Sequence, residues 1–280
     1  MKTLGKMAKM AAAAVMAAGM AAPGMAQEKA KVVMDGSTTV GPIAKAFAEA
    51  YMKACPEVNV TVGESGSGNG AKSLINNTCD IANMSRFMKD NEFEAAVAKK
   101  VLPVAHVVAM DGLAVIIHPS NPVANLTVQQ VYDIYTGKVT SWKAVGGPDM
   151  PIVVISRDTN SGTYETFEEL VLKKAKIVAS AEYVGSNGAI RQRVQTTRGA
   201  IGYVGLGFVD KTVKAVKINH VEANNETVAS GKYPIARPLF MFTNGYPKLG
   251  SHVHALVTMH LSKQGQEIIE KIGYVPVTSY

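Results

Sequence analysis

Residues 152–174 read IVVISRDTNSGTYETFEELVLKK, and this stretch contains an apolar run, a polar turn and a helical pattern in direct succession. The run Ile152–Ser156 is apolar and rich in β-branched residues, which predicts a strand. Beyond the turn, apolar residues recur at intervals of three and four, which predicts a helix over Tyr164–Lys174. The turn carries Arg157, hydroxyl side chains and Gly162, a combination that suits either a helix cap or an anion site.

The same succession of elements recurs along the rest of the chain. Short β-rich runs alternate with helical patterns, which is typical of α/β architecture with largely parallel sheets. The predicted strands are Lys31–Met34, Val58–Val62, Asp80–Met84, Val104–Ala109, Leu113–His118, Ile152–Ser156 and Leu239–Thr243. The predicted helices are Pro42–Ala54, Asn69–Ile75, Glu92–Lys100, Val128–Tyr135, Tyr164–Lys174 and Asn187–Thr196, with one or two more in His252–Ile272.

Three further polar turns follow predicted strands. Residues 36–42 contain three consecutive hydroxyls, residues 63–72 alternate glycine with serine, and residues 83–86 end in Ser85 and Arg86. Each turn taken singly has an ordinary alternative. The first can be a helix cap, the second a flexible surface loop, and the third a turn with a solvated arginine. The glycine-rich turn matches neither the Walker pattern nor the G-x-S-x-G nucleophile elbow. In open α/β sheets, however, such turns line the crevice where ligands bind, so four donor-rich turns together favour an oxyanion site.

The first residues have the layout of a secretory signal peptide. Three lysines precede an apolar run from Met10 to Ala22, and small residues then allow a cut after Ala26. The apolar run is short for a membrane span, which needs about 20 residues. We therefore expect residues 1–26 to be a cleavable leader and the exported chain to be periplasmic.

Charge and cysteine content limit the partners further. The formal net charge of +7 includes three lysines of residues 1–26, without which it is +4. Lysine and arginine form no block interleaved with aromatic residues, so nucleic acid is not an expected partner. The two cysteines, Cys55 and Cys79, either pair as a disulfide in an oxidising compartment or remain two thiols.

The sequence gives little support for an enzyme. His252, His254 and His260 lie close together, but their spacing matches no standard metal site and no acidic residue completes one. No Ser/His/Asp set is marked by local sequence. We therefore expect no catalytic residue, no metal and no cofactor.

Several of these segments, taken in order, resemble a known family: the periplasmic phosphate-binding proteins that feed the high-affinity phosphate ABC transporter. The similarity runs over most of the chain beyond the leader. It is carried by Gly36-Ser37-Thr38-Thr39 before Pro42, Ser65-Gly66-Ser67-Gly68 before Lys72, Asp80-Ile81-Ala82 before Ser85-Arg86, Leu126-Thr127 with Ile134–Val139 and Trp142, Arg157-Asp158 before Ser161-Gly162-Thr163, and Gly199–Tyr203.

The resemblance implies a type II periplasmic binding protein fold, in which a hinge joins two α/β lobes and the ligand lies in the cleft between them. The implied lobes are residues 28–110 with 237–280, and residues 111–236. The implied function is non-enzymatic. Such a receptor binds inorganic phosphate as a monomer and delivers it to the permease subunits of an ABC transporter in the inner membrane.

The resemblance, together with the turns, predicts a set of ligand-binding residues. They are Thr38, Thr39, Ser67, Ser85, Arg86, Arg157, Ser161, Gly162 and Thr163. Well-known members of the family have an aspartate after the third strand that accepts the proton of hydrogen phosphate, and here that position is Ser85. Asp158 is either a replacement acceptor or a brace for Arg157. The alternatives are a receptor for sulfate, arsenate, molybdate or tungstate and, from another class, a secreted phosphohydrolase.

Overall fold

A computed structural model describes residues 29–278, so the predicted leader and its cut after Ala26 lie outside the described residues. The strands are β1 (Ala30–Gly36), β2 (Val58–Val62), β3 (Ile81–Met84), β4 (Pro103–Ile117), β5 (Asn125–Leu126), β6 (Val153–Arg157), β7 (Glu182–Val184), β8 (Ala200–Gly205), β9 (Lys214–Ala215), β10 (Lys217–Ile218) and β11 (Ala236–Asn244). The helices are α1 (Gly41–Ala54), α2 (Ser67–Ile75), α3 (Asp90–Ala98), α4 (Val128–Tyr135), α5 (Gly162–Phe167), α6 (Asn187–Thr196), α7 (Asn225–Ala229), α8 (His252–Thr258) and α9 (Lys263–Ile272).

A mixed sheet runs through the described residues in the order β2-β1-β3-β11-β4-β8-β6-β7, with β9 also paired to β4. Parallel pairs, which the sequence predicts as the main type, are present: β1 with β2 and β3, and β6 with β7 and β8, although β7 and β8 are not among the predicted strands. The middle of the sheet is antiparallel, because β4 pairs in that sense with both β11 and β8. The chain returns through the sheet centre at β11, which a prediction of largely parallel pairing does not anticipate.

The long strand β4 divides the sheet into two segments. Its residues Pro103–Gly112 pair with β11, and its residues Leu113–Ile117 pair with β8. We call β1, β2, β3, β11 and Pro103–Gly112, with their helices, the first sheet segment. The second sheet segment is Leu113–Ile117 with β6, β7, β8, β9 and their helices. The prediction of two separate strands here is wrong, because the backbone pairing continues through Asp111 and Gly112.

The first sheet segment has an apolar core on each face, as expected for strands whose side chains alternate. One core joins strand residues such as Met34 and Met241 to α1, α8 and α9, and Cys55 packs against it. The other core joins Phe240 and neighbouring strand residues to α2 and α3, and contains Cys79. The two cysteines are therefore held in different cores and are not bonded, so the disulfide is ruled out in this structure.

Helix α5 begins and ends earlier than predicted. It begins at Gly162 because the Ser161 hydroxyl accepts hydrogen bonds from the Thr163 and Tyr164 amides, which is a regular helix cap. After Phe167 the chain continues as one π-helical turn, Glu168–Leu172. Lys173 then adopts a left-handed φ of 50°, which ends the helical path before the predicted limit at Lys174.

The four polar turns of the sequence follow β1, β2, β3 and β6 at the carboxyl ends of these strands. In a parallel arrangement these ends lie at one edge of the sheet, which is where ligands bind in open α/β folds. Among the helices of residues 29–278, none combines the length and the apolar character needed to cross a bilayer.

Candidate functional site

The four polar turns meet at the junction of the two sheet segments. The Gly68 amide of the first segment donates to the Asn160 carbonyl of the second at 3.0 Å. The Thr39 and Thr163 hydroxyl oxygens, again one from each segment, lie 2.9 Å apart. Eight of the nine predicted site residues are buried there: Thr38, Thr39, Ser67, Ser85, Arg157, Ser161, Gly162 and Thr163. The structure therefore brings together residues that are up to 125 positions apart in sequence.

Arg157, the last residue of β6, is the central charge of this group and is only 1% exposed. Its Nη2 donates to the Gly185 carbonyl at 2.9 Å. Its Nε and Nη1 are buried and have no hydrogen-bond partner within the described residues. Burial lowers the pKa of Arg157 to about 10, while the nearby Asp158 carboxylate opposes that shift. A guanidinium with this pKa remains charged at neutral pH, so two of its donor atoms are available to an anion.

A rigid aromatic stack holds Arg157 in position. The Tyr203 hydroxyl accepts a hydrogen bond from the Arg157 amide at 3.3 Å and lies 2.8 Å from the Ser156 hydroxyl. The Tyr203 ring stacks on Phe167 with a centroid separation of 3.9 Å and an interplanar angle of 3°. Tyr203 fixes the backbone of Arg157 and the Gly185 carbonyl holds its Nη2, so little side-chain freedom remains to be lost when a ligand binds.

Asp158 closes its own turn. Its Oδ1 accepts a hydrogen bond from the Asn160 amide at 2.9 Å, and its carbonyl accepts from the Ser161 amide at 3.1 Å. Within residues 29–278, no ion pair or hydrogen bond joins its carboxylate to Arg157. Asp158 therefore acts on Arg157 through its charge and through the shape of the turn, and not through a direct brace.

Asn187 is a residue of this group that the sequence interpretation missed. At the start of α6, its Nδ2 donates to the hydroxyls of Thr38 at 3.0 Å and Thr39 at 2.9 Å. Its Oδ1 accepts from the Gly205 amide at 3.2 Å. Asn187 thus ties the hydroxyl turn of the first segment to two elements of the second. The available signal was its position in a Gly-Ser-Asn turn that opens a predicted helix.

A buried ion pair between β4 and β11 was also missed. Arg237 donates from Nε and Nη2 to Asp111 Oδ2 at 3.1 and 3.0 Å, and Nη2 also reaches the Thr163 hydroxyl at 2.9 Å. The Leu206 amide donates to Asp111 Oδ1 at 2.8 Å. Burial raises the pKa of Asp111 and lowers the pKa of Arg237, and contact with the partner opposes the shift in each case. Both carboxylate oxygens are engaged, so Asp111 serves Arg237 and not a ligand.

Arg86, the ninth predicted residue, lies beside the group but is occupied by acidic side chains. Its Nη1 and Nη2 donate to the two oxygens of Glu92 at 2.8 and 2.7 Å, and Nη1 also donates to the Phe87 carbonyl at 2.9 Å. Its Nε forms an ion pair with Glu165 of the second segment. Hydrogen bonds from Nη1 and Nη2 use three of the five N–H groups, while Nε makes no hydrogen bond within residues 29–278 and is paired with Glu165 by charge.

Gly162 allows the two segments to approach closely. A side chain at this position would place its Cβ 2.5 Å from the Ser67 hydroxyl oxygen and 2.7 Å from that of Ser85. Ser67 Oγ also accepts from the Ser85 amide at 3.0 Å, so these two hydroxyls form one surface of the first segment. The group therefore combines donors from both segments around an arginine with two open donor atoms. Within residues 29–278, no cluster of three or more His, Cys, Asp and Glu side chains is arranged for a metal.

A junction of this kind, rich in donors and placed between two parts of one sheet, is typical of hinged solute-binding proteins. Residues 21–258 match the family described as PBP superfamily domain. SphX of Synechococcus elongatus is 33% identical over 265 residues, which cover 89% of this chain and 78% of SphX. The phosphate-binding protein PstS of Borreliella burgdorferi is 32% identical over 90% of this chain and 92% of its own length.

Solved structures agree with these relatives. A Clostridium perfringens protein, described as a phosphate ABC transporter substrate-binding protein with bound phosphate, superposes with a TM-score of 0.82. It is 36% identical, and the match covers 89% of this chain and all of that one. The chain belongs to the PBP superfamily and, within it, to the PstS family of phosphate-binding proteins.

Proposed function

We propose that the protein binds inorganic phosphate at the junction of the two sheet segments and delivers it to an ABC-type permease for import. The observation that supports this most directly is Arg157, whose Nε and Nη1 are buried without a partner in residues 29–278. An uncompensated buried cation is costly, and an oxyanion that lies beside the guanidinium and accepts from one of these open donor atoms offsets that cost. The names of the relatives, which specify phosphate, support this oxyanion among others.

The proposed ligand groups come from both sides of the junction. Arg157, Ser161, Gly162 and Thr163 act from the second segment. Thr38, Thr39, Ser67 and Ser85 act from the first. Arg86 is left out of the direct ligands because Glu92 engages Nη1 and Nη2, and because Glu92 and Glu165 offset its charge. Asn187 and Arg237 are added as residues that orient the threonine hydroxyls.

We propose that phosphate favours a closed form because only that form supplies donors from both segments. The proposed lobes are residues 28–110 with 237–280, and residues 111–236. The pairing change within β4 supports a hinge at this boundary. A ligand shifts such an equilibrium only through contacts that differ between the open and closed forms. The contacts of Thr39 with Thr163 and Asn187 cross the proposed lobes and meet this condition.

The rest of the proposal concerns the cellular setting. We propose that residues 1–26 direct export to the periplasm and that the protein acts there as a monomer without catalysis. The permease subunits of the inner membrane would recognise the closed form and receive the phosphate. The leader-like sequence supports export, and the relatives named after phosphate ABC transport support the permease as partner.

Isothermal titration of the purified protein with phosphate tests the proposal. We expect saturable binding of one phosphate per chain, and parallel titrations with sulfate and arsenate measure the selectivity of the site. Absence of binding heat, confirmed by an unchanged melting temperature at high phosphate concentration, would rule the function out. Release of phosphate from a generic phosphate ester by the purified protein would favour the phosphohydrolase instead.

Gly162→Ala should weaken phosphate binding without unfolding the protein. The added methyl group would press on the Ser67 and Ser85 hydroxyls and oppose closure. Overpacking typically costs about 1–3 kcal/mol, which corresponds to a roughly 5- to 150-fold rise in Kd. Gly188→Ala is the matched control, because its nearest neighbour would lie 3.9 Å away. Titration in which the Gly162→Ala protein binds phosphate like the wild type would contradict a closed binding form.

Ser85→Asp should increase the preference for phosphate over sulfate. Asp111 is engaged on both oxygens by Arg237 and the Leu206 amide, and Asp158 Oδ1 accepts from the Asn160 amide. Among the proposed ligand side chains, the oxygens that can accept a phosphate proton are hydroxyls, and these can also donate to sulfate. A new carboxylate would accept from hydrogen phosphate and repel sulfate, raising the ratio of affinities by roughly tenfold or more. Ser85→Asn is the neutral control, and an equal change of both affinities in Ser85→Asp would contradict the expectation.

A further inference from the structure

An ion-pair group at the edge of the junction joins the two sheet segments outside the proposed ligand set. Glu165, on α5 of the second segment, forms an ion pair with Arg86 Nε of the first segment. Lys89 of the first segment contacts the same carboxylate oxygen with its Nζ at 3.2 Å. The side chains of Arg86 and Glu165 are only 8% and 13% exposed, so this contact is shielded from water and salt.

The two partners of this contact are held differently. Arg86 is fixed within its own segment, because Glu92 accepts from Nη1 and Nη2 in a bidentate pair. Glu92 also accepts from the Lys89 amide at 3.0 Å, which anchors it at the start of α3. Glu165 has no such support: within residues 29–278, the cations that its carboxylate contacts both belong to the first segment. Separation of the segments would therefore leave Arg86 paired and Glu165 without a partner.

The charges of this group balance without a ligand. Arg86 and Lys89 are offset by Glu92 and Glu165, so the group supplies no net positive charge to an anion. Burial raises the pKa of Glu165, while Arg86 and Lys89 oppose that shift. The Glu165 carboxylate is partly desolvated, and only cations of the first segment neutralise it. Its electrostatic free energy is therefore most favourable in the closed arrangement.

We propose that Glu165, with Arg86 and Lys89, forms a latch that holds the closed form and sets how slowly the ligand is released. This rests on the proposed function, and it makes Glu165 and Arg86 positioning residues, not ligands. Because the contact forms only after the segments come together, its loss acts on the dissociation rate and leaves the association rate nearly unchanged.

Stopped-flow measurement of phosphate dissociation from the Glu165→Gln protein tests the latch. We expect the dissociation rate to rise by roughly tenfold and the association rate to change by less than about twofold. In Glu165→Asp, the dissociation rate should lie between those of the wild type and Glu165→Gln. Glu169→Gln is the matched control, because Glu169 follows on the same helical stretch and is exposed.

Two results measured with phosphate, and a third measured without it, would overturn the latch. If Glu165→Gln releases phosphate at the wild-type rate, the ion pair does not hold the closed form. If the variant binds phosphate more tightly, Arg86 is a ligand that Glu165 withholds. Small-angle scattering without phosphate separates this inference from the proposed function. A larger radius of gyration in Glu165→Gln than in the wild type supports the latch even if phosphate does not bind, and equal radii contradict it.

Discussion

Replacement of Arg157 by methionine should lower the phosphate affinity by roughly 100- to 10,000-fold. Arg157 offers Nε and Nη1, both buried and without a partner in residues 29–278. Each charge-assisted hydrogen bond contributes about 1.5–3 kcal/mol, and one edge of a guanidinium, Nε with Nη2 or Nη1 with Nη2, offers two of them, so these account for about 3–6 kcal/mol of binding. Methionine keeps an apolar stem of similar length but removes every donor. Isothermal titration against phosphate measures the change.

The Arg157→Met protein should not be less stable than the wild type when phosphate is absent. Buried donors without partners cost about 1–3 kcal/mol, and their removal offsets the lost contact with the Gly185 carbonyl. The control is Arg191→Met on α6, since Arg191 is a partly exposed arginine paired with Asp210. An Arg157→Met protein that is folded and still binds phosphate at wild-type affinity would show that Arg157 does not contact the ligand.

Asp111→Asn should reduce the free energy of unfolding by about 3–5 kcal/mol. Asp111 is completely buried and accepts from Nε and Nη2 of Arg237, which is itself only 4% exposed. Loss of the carboxylate charge leaves the guanidinium buried and uncompensated, and this accounts for most of the cost. Urea denaturation of the phosphate-free protein, followed by circular dichroism, measures the change.

A double variant separates this explanation from simple loss of packing. Asp111→Leu with Arg237→Met removes both charges, so its stability should lie closer to the wild type than that of Asp111→Asn. Its phosphate affinity should still be reduced, because Arg237 no longer donates to the Thr163 hydroxyl. The exposed Asp149→Asn is the control for charge alone. A double variant less stable than Asp111→Asn would contradict the account of the ion pair.

The elements that the sequence predicts best are those with strong local signals. The bounds of Val58–Val62, Val128–Tyr135 and Asn187–Thr196 are confirmed by the structure. Helices α4 and α6 are bounded at their starts by side chains that accept from the first turn, Thr127 and Ser186. Apolar periodicity and helix caps each involve residues only a few positions apart, so both signals can be recognised in a single sequence.

The centre of the sheet depends on contacts between distant residues and was therefore predicted poorly. An aspartate and a glycine inside an apolar run, Asp111 and Gly112, are typical of a turn. They belong to one continuous strand because Arg237, 126 positions away, neutralises Asp111. The same strand β11 makes the middle of the sheet antiparallel. Nothing local to Asp111 indicates a partner at that separation.

In the candidate site, too, local features could be predicted from the sequence and contacts between distant residues could not. Each of the four donor-rich turns follows a strand directly and could be found locally, and the structure brings all four together. The orienting contact from Asn187 to Thr39 spans 148 positions, so no local pattern indicates that these two side chains meet. Arg86 has the chemistry of a ligand, but its partners Glu92 and Glu165 lie on two different helices. Its predicted role as a ligand stays a prediction that the latch experiment tests.

A crystal structure of the protein grown with phosphate tests the central claim most directly. We predict one phosphate at the junction of the two sheet segments, with its oxygens within hydrogen-bond distance of Arg157 Nε or Nη1 and of hydroxyls from both segments. Arg86 should remain paired with Glu92 and Glu165 in that structure. A phosphate bound elsewhere, or Arg157 still without a partner in a phosphate-bound protein, would contradict the account.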